Sequence, residues 1–302
     1  MTWSGKVWLI TGCSLGSLGR HIVESALARN DKVIATGRKL SSVQDLQSES
    51  CKVLQLDVDE PFSALQEKAK EAISLFGHVD VLVNNSGFGL FGSIEELGAE
   101  RFMHQFQTNF LGVMNLTNAF LPHFRSRRDG TIVNIGSRSV WRDNVPFMGP
   151  YVTSKAALHG LTGVLAAEVA AFNVRVLLVQ PGGLRTGAWR NARNPLDEST
   201  TIHDYDELRD HAKKFGASQG GTALGDPVKV ANVILDVVRG EGVATGRPWP
   251  GTLVLGEDAE RDVRAKCEQM LSMLDEWKDV VRSTRVDEGA PEKVDFAYNN
   301  IK

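Results

Sequence analysis

One stretch of the chain, Tyr151-Val152-Thr153-Ser154-Lys155, places a phenol and an ammonium four positions apart. On a helix, residues four apart lie one above the other on the same face. A free tyrosine, with a pKa of about 10, is a poor acid–base group near neutral pH. A cation within a few Å favours the phenolate and lowers that pKa. A tyrosine tuned in this way can exchange a proton with the oxygen of an alcohol or a carbonyl. The same spacing also describes a helix surface with a half-buried tyrosine and a lysine whose stem covers apolar surface. The pattern is short, so its meaning depends on what the rest of the chain sets around it.

A second group of residues has the makings of a phosphate site. The apolar run Val7–Ile10 leads into Thr11-Gly12-Cys13-Ser14-Leu15-Gly16-Ser17-Leu18-Gly19, and a helical pattern follows over residues 21–29. A strand, a glycine-rich turn and a helix in that order bring backbone N–H groups and a helix N-terminus against a pyrophosphate. After the next apolar run the chain reads Gly37-Arg38-Lys39. No carboxylate stands there to hold a ribose 2′-hydroxyl, whereas the Arg38 guanidinium suits a 2′-phosphate. This points to NADP(H) over NAD(H).

These groups need a scaffold, and the hydrophobic pattern supplies one. Residues 7–10, 32–36, 53–56, 79–83, 131–135 and 174–179 read as short buried strands, crowded with Val, Ile and Leu and lacking polar alternation. Helical patterns lie between them, clearest at 21–29, 62–76, 99–127 and 151–172. Strands alternating with helices predict a doubly wound α/β fold, a parallel sheet covered on both faces, with ligands at the carboxyl ends of its strands. Residues 187–225 break the pattern: they are polar and carry no sustained apolar period, which predicts a disordered segment or a substrate lid. Asp226-Pro227 marks a helix start, followed by Val230, Ile234, Val237 and Val238 on one face. Residues 252–255 read as an edge strand. Val263, Cys267, Met270, Leu271, Leu274 and Trp277 form an apolar stripe on a last helix, before a polar tail from Asp287. Residues 1–302 are thus expected to form one domain, with a lid at 187–225 and a C-terminal helical extension and tail at 257–302.

Composition narrows the function. Of 302 residues, 42% are hydrophobic and 24% charged, and the net charge is −3, so no electropositive footprint for nucleic acid is expected. Three separated cysteines (Cys13, Cys51, Cys267) and seven histidines form no metal-ligand spacing, and no bound metal is expected. No apolar run reaches membrane-spanning length, and the N-terminal residues lead straight into a strand. Together these predict a cytoplasmic protein that binds neither membrane nor nucleic acid.

With these residues in order, the chain resembles the short-chain dehydrogenase/reductase family over residues 5–255. Thr11–Gly19 resembles its glycine motif, with Gly12, Gly16 and Gly19 as the glycines. Asp57 in Leu56-Asp57-Val58 is similar to its adenine-contacting acid, and Asn84-Asn85-Ser86-Gly87 to its Asn-Asn-Ala-Gly. Asn109, Ser137, the Tyr151–Lys155 pair, Pro181-Gly182 and Thr186 match its later motifs. The resemblance implies a Rossmann-type three-layer fold and the following roles. Tyr151 exchanges the proton, Lys155 lowers its pKa and binds the nicotinamide ribose, Ser137 holds the substrate oxygen, and Asn109 orients a water that relays protons to Lys155. Thr186 anchors the carboxamide. The cofactor contacts are expected at Gly12, Ser14, Leu15, Gly16, Leu18, Gly19, Arg38, Asp57, Val58, Asn84, Gly87, Tyr151, Lys155, Pro181, Gly182, Leu184 and Thr186. It further implies a homodimer or homotetramer paired through the two long helices.

The chain departs from the family pattern at two places. Ser17-Leu18 separate Gly16 from Gly19 where the family has one residue. Either Gly19 takes the third-glycine role on a bulged loop, or Leu18 occupies that place and crowds the helix–strand contact; the bulge is the preferred reading, with a helix start at Gly19-Arg20-His21. The interval from Ser137 to Tyr151 is one residue longer than usual, which leaves Ser139 as an alternative. Trp141, Phe147, Met148, Trp189 and Phe91 are candidate apolar walls for a bulky hydrophobic ketone or alcohol, and Trp141 and Phe147 equally fit core or subunit contacts. The competing readings are a nucleotide-sensing binding protein and a non-redox enzyme on the same scaffold.

Overall fold

The apolar runs become strands that have no face to give to water. The structure, a computed structural model, describes residues 5–186 and 201–286, with the backbone alone described at 215–222. Among the described residues, seven strands form one sheet in the order β3-β2-β1-β4-β5-β6-β7, every pairing parallel. The strands are β1 (Val7–Ile10), β2 (Lys32–Gly37), β3 (Cys51–Gln55), β4 (Val81–Asn84), β5 (Gly130–Ile135), β6 (Val174–Pro181) and β7 (Thr252–Leu255). The order reverses between β1 and β4, the switch point at which such sheets open a crevice. β7 is the predicted edge strand, while β3 and β4 are each displaced by about two residues from the apolar runs, within the usual boundary scatter.

Helices cover both faces. On one, α1 (Leu18–Ala28) and α7 (Pro227–Arg239) pack Ile22, Val23, Ile234 and Leu235 onto Trp8, Ile10 and Val33. On the other, α2 (Phe62–Phe76), α4 (Gly112–Arg127) and α5 (Gly149–Val169) pack Leu65, Leu116, Phe120 and Leu165 onto Leu9, Leu82 and Ile132. The α7 start follows its sequence signal: Asp226 caps the backbone N–H groups of Val228 and Lys229, Pro227 opens the first turn, and Gly240 closes the helix in the left-handed region.

Two sequence expectations change. The helix read over 99–127 is three pieces: α3 (Ile94–Phe106), a π-helical turn at Gln107–Leu111, and α4. Non-helical Gly98 (φ 59°, ψ −179°) sits inside α3, which is why periodicity begins only after it. The lid segment, read as lacking regular structure, contains α6 (Asp206–Thr222). It is docked through polar groups, so it needs no long apolar stripe; residues 187–200 lie outside the described residues, as do Trp189 and the tail from Asp287. The predicted last helix is α8 (Glu257–Glu276), followed by the short α9 (Lys278–Ser283), and their apolar stripe is exposed. No helix among the described residues is long and apolar enough to cross a membrane.

Candidate active site

The glycine loop absorbs its extra residue through Ser17. Ser17 caps α1, accepting from the Arg20 N–H at 3.1 Å, and its hydroxyl donates to the Gly12 carbonyl at 2.9 Å. The helix therefore starts at Leu18, three residues before the periodic pattern, and not at the Gly19-Arg20-His21 start read from the sequence. Gly12 (φ 70°) and Gly16 (φ 74°) hold left-handed turns that a side chain strains. A Cβ on Gly19 would lie 2.5 Å from Asn85 Nδ2 and 2.6 Å from the Gly12 carbonyl oxygen, so the close helix–strand approach falls on Gly19. Leu18 turns its buried side chain into the core, and Leu15 stands 83% exposed on the outer side of the loop. A loop that turns on two left-handed glycines, beside a capped helix N-terminus, fits a pyrophosphate. Beyond β2, Arg38 and Lys39 are exposed, and no acid stands at that strand end.

Of the paired asparagines, the structure brings the second to the loop and turns the first away. Asn85 Nδ2 donates to the Thr11 and Gly12 carbonyls at 2.8 and 3.1 Å, and its backbone N–H donates to Thr11 Oγ1. Asn84, expected among the cofactor contacts, instead donates beneath the sheet to Thr117 Oγ1 at 3.0 Å and Asn134 Oδ1 at 2.8 Å. Successive strand residues point to opposite faces, so adjacent asparagines cannot do the same job. Asn85 and Thr11 are the residues sequence reasoning missed here; that alternation was the available signal. Asp57 is half-buried, accepting from the Asp59 N–H at 3.1 Å, and Val58 is buried against the place where α4 begins.

At the end of β5, Ser137 caps a short turn, with its hydroxyl 2.8 Å from that of Ser139. The Ser137 hydroxyl also stands by the Tyr151 phenol, where it favours the ionised form. Ser137 therefore stands at the tyrosine, with Ser139 behind it. Lys155, one turn along α5, is buried and donates to the Ile135 carbonyl at 2.6 Å. Burial pushes its ammonium down to about 8. Burial also raises the Tyr151 phenol, opposed only by the Ser137 hydroxyl. This corrects the expectation that Lys155 lowers the tyrosine: in this structure the ammonium is turned to a backbone carbonyl, and desolvation decides the phenol's shift. His159, another residue the sequence did not single out, accepts from the Ser137 N–H at 3.3 Å and is held neutral by burial and the neighbouring Lys155, with its pKa lowered to about 4.

Asn109 lies in the π turn. Its Nδ2 donates to the Phe88 carbonyl at 3.0 Å and to Ser154 Oγ at 3.1 Å, and its Oδ1 accepts from the Phe88 N–H at 3.1 Å. Buried Gln105 adds two bonds to the same loop, to the Leu90 N–H and the Phe88 carbonyl. The Asn109 amide thus clamps the 87–90 loop over the site. Gly87 lies against Lys155, where a Cβ would come within 3.7 Å of Nζ, and Gly89 lies between Phe91 and Tyr151.

The opposite wall is set by a carboxylate from the C-terminal extension. Buried Asp258, in the first turn of α8, accepts from the Gly183 N–H at 2.9 Å and pairs with Arg138 at 3.3 Å. Arg138, next to Ser137, also reaches Asp262 at 2.7 Å. A Cβ on Gly182 would fall 1.9 Å from the Asp258 carboxylate. Pro181 ends β6, the Leu184 backbone bridges to Gly225, and the Thr186 N–H donates to the Leu184 carbonyl at 2.8 Å. Nothing in the helical periodicity near residue 258 marks that acid, because its partners are 75 and 120 residues away in sequence.

Of the candidate apolar walls, Phe91 stands beside Tyr151 across Gly89. Trp141 hydrogen-bonds Gln180 on β6, and Met148 bridges Gly92. Phe147 (φ 66°) is buried, edge-on to Tyr205 and beneath the Arg209 guanidinium. Arg209 of α6 pairs with Glu96 of α3, and the Ile202 N–H donates to the same carboxylate at 2.9 Å.

The chain's relatives carry the same architecture. The family model for short chain dehydrogenase matches residues 6–197. An oxidoreductase of Botryotinia fuckeliana, BOA17, is 32% identical over 280 residues, covering 91% of this chain and 97% of that one. Human retinol dehydrogenase 8 is 37% identical over 258 residues, 79% of each chain. The crystal structure of a short-chain dehydrogenase from Streptomyces avermitilis superposes with a TM-score of 0.81 at 33% identity, covering 94% of this chain and all of that one. Fold, motif order and relatives agree, and the chain belongs to the short-chain dehydrogenase/reductase family, oxidoreductases that act on alcohols and carbonyls with NAD(P).

Proposed function

We propose that this protein transfers a hydride between NADP(H), in preference to NAD(H), and a carbonyl or secondary alcohol of a bulky apolar substrate. The observation that carries the reading is the Tyr151 phenol beside the Ser137 hydroxyl, with Lys155 one helical turn away, at the strand ends beside a turn that fits a pyrophosphate. The backbone of residues 12–16, with the N–H groups of Leu18 and Gly19, would hold the pyrophosphate, and Arg38 the 2′-phosphate. Asp57 and Val58 would face the adenine. Gly87 and Lys155 would face the nicotinamide ribose, and Pro181, Gly182, Leu184 and Thr186 the ring. When bound, the nicotinamide supplies or accepts the hydride at the substrate carbon. Ser137 donates a hydrogen bond to the substrate oxygen and holds the developing alkoxide. Tyr151, a phenol kept protonated by burial, gives its proton to that oxygen in reduction and takes one back in oxidation. Lys155, held by the Ile135 carbonyl, keeps its ammonium one helical turn from the phenol, where it would reach the nicotinamide ribose. Asn109 holds the 87–90 loop over these groups.

Support for an apolar substrate comes from Phe91 beside Tyr151, from Met148 and Trp141 near the site, and from the relative named retinol dehydrogenase. Nicotinamide fluorescence titrations with NADPH and NADH test the cofactor. Tight NADPH binding, weak NADH binding and a loss of about tenfold or more for NADPH in Arg38→Ala are expected, the scale of one charge-assisted hydrogen bond. Equal affinities overturn the preference. Tyr151→Phe should lower turnover of an apolar ketone by roughly 10²- to 10⁴-fold, the contribution of a general acid, with cofactor affinity unchanged. Turnover of small charged ketones alone overturns the substrate class.

A further inference from the structure

The C-terminal helices leave an apolar face bare. Val263 and Lys266 still touch the body, but from Cys267 onward α8 is exposed all round. Leu271 is 62% and Trp277 53% exposed, and Met270, Met273, Leu274, Val280 and Val281 are exposed with them. Together they leave on the order of 600 Å² of contiguous apolar surface, the scale at which a patch marks an interaction site. The pattern is specific. Val263, Cys267, Met270, Leu274, Trp277 and Val281 recur in alternating steps of four and three, the a/d seam of a coiled coil. Trp277 departs from helical geometry (φ −99°, ψ 15°), yet the Val281 N–H still donates to its carbonyl at 2.9 Å, so the seam continues into α9.

We propose that this face is an antiparallel helix–helix interface with a second copy of this chain. The seam is complementary to itself in that direction. Centred on Ser272, Met270 meets Leu274 of the partner subunit, small Cys267 meets bulky Trp277 of the partner subunit, and Val263 meets Val281 of the partner subunit. Leu271 and Met273 flank the seam on either side, where each meets its own copy near the twofold axis. A parallel pair would bring two globular bodies to the same end of helices only about 8–10 Å apart; the antiparallel pair sends them to opposite ends. A bilayer is the wrong occupant. Between residues 267 and 281 the polar side carries Glu268, Asp275, Glu276 and Asp279 against Lys278 alone, and anionic lipid surfaces select basic faces. The interface lies on elements other than the long helices α4 and α5, so it adds to any pairing made there.

The test is the mass of the assembly by light scattering on the full-length protein, with and without Leu271→Asp/Leu274→Asp. The variant should halve the mass while leaving the far-ultraviolet spectrum and NADPH affinity unchanged. Leu271→Cys in a Cys267→Ser background should form an intermolecular disulfide under mild oxidation, whereas wild-type Cys267, set opposite a tryptophan, should not. An unchanged mass in the aspartate variant overturns the interface. Efficient cross-linking through wild-type Cys267, with none through Leu271→Cys, overturns the antiparallel arrangement. Sedimentation of the wild type with phosphatidylserine vesicles, lost in the aspartate variant at unchanged mass, assigns the face to a membrane and overturns the proposal.

Discussion

Lys155 is a buried cation that donates to the Ile135 carbonyl. Its fall from 10.5 to about 8 corresponds to roughly 3 kcal/mol against the charged form at neutral pH, at 1.36 kcal/mol per pKa unit. A function-bearing charge held in this way costs stability, and an isosteric apolar replacement relieves it. Lys155→Met should therefore abolish turnover yet gain about 1–2 kcal/mol in urea denaturation, part of the relief being offset by the carbonyl left without a donor. His159 works with the opposite charge state. It must be neutral to accept the Ser137 N–H, and it is lowered to about 4 from 6.5. Between these values the unfolded chain binds a proton that the folded chain refuses. The His159 contribution is thus fully present above pH 6.5 and is lost as the pH falls towards 4. Stability against pH should fall through that window in the wild type and fall less steeply in His159→Gln.

At the scale of elements, the site depends on how helix ends and strand ends are tied together. Asp258 brings the first turn of α8 to both the turn after β5 and the turn after β6. Asp258→Ala leaves the Gly183 N–H without its acceptor and Arg138 with Asp262 alone. A loss of about 1–3 kcal/mol is expected, the cost of an unsatisfied buried donor, together with weaker NADPH binding. Asp258→Asn keeps an acceptor for Gly183 and should recover much of the stability but less of the binding; paired urea and fluorescence titrations separate the two. Most elements were legible in the chain. Val7–Ile10, residues 62–76 and the Asp226-Pro227 start read correctly because apolar periodicity and a capping acid are local signals. The π turn around Asn109 was not legible, since it serves partners at Phe88 and Ser154, whereas the Ser17 cap and the break at Gly98 are local features that the apolar period alone does not mark.

For the whole molecule, cofactor binding and folding are linked. A ligand that binds the folded chain alone adds about 2.7 kcal/mol at one hundred times its dissociation constant. NADPH at that excess should raise the melting temperature by roughly 4 °C for a domain of this size. NADH at the same concentration should raise it less, and equal shifts count against the Arg38 reading. The sequence by itself determined the parallel α/β architecture, because strands buried on both faces and amphipathic helices announce themselves in runs of a few residues. It also determined the order of Gly12, Ser137, Tyr151 and Lys155 along the chain, since each motif is a short local pattern. Tertiary structure decided the rest. It turned Asn84 under the sheet and Asn85 onto the loop, gave Lys155 to the Ile135 carbonyl, and left the α8 stripe bare. These outcomes rest on contacts between residues far apart in sequence and on which surfaces find a neighbour, and no local pattern encodes either.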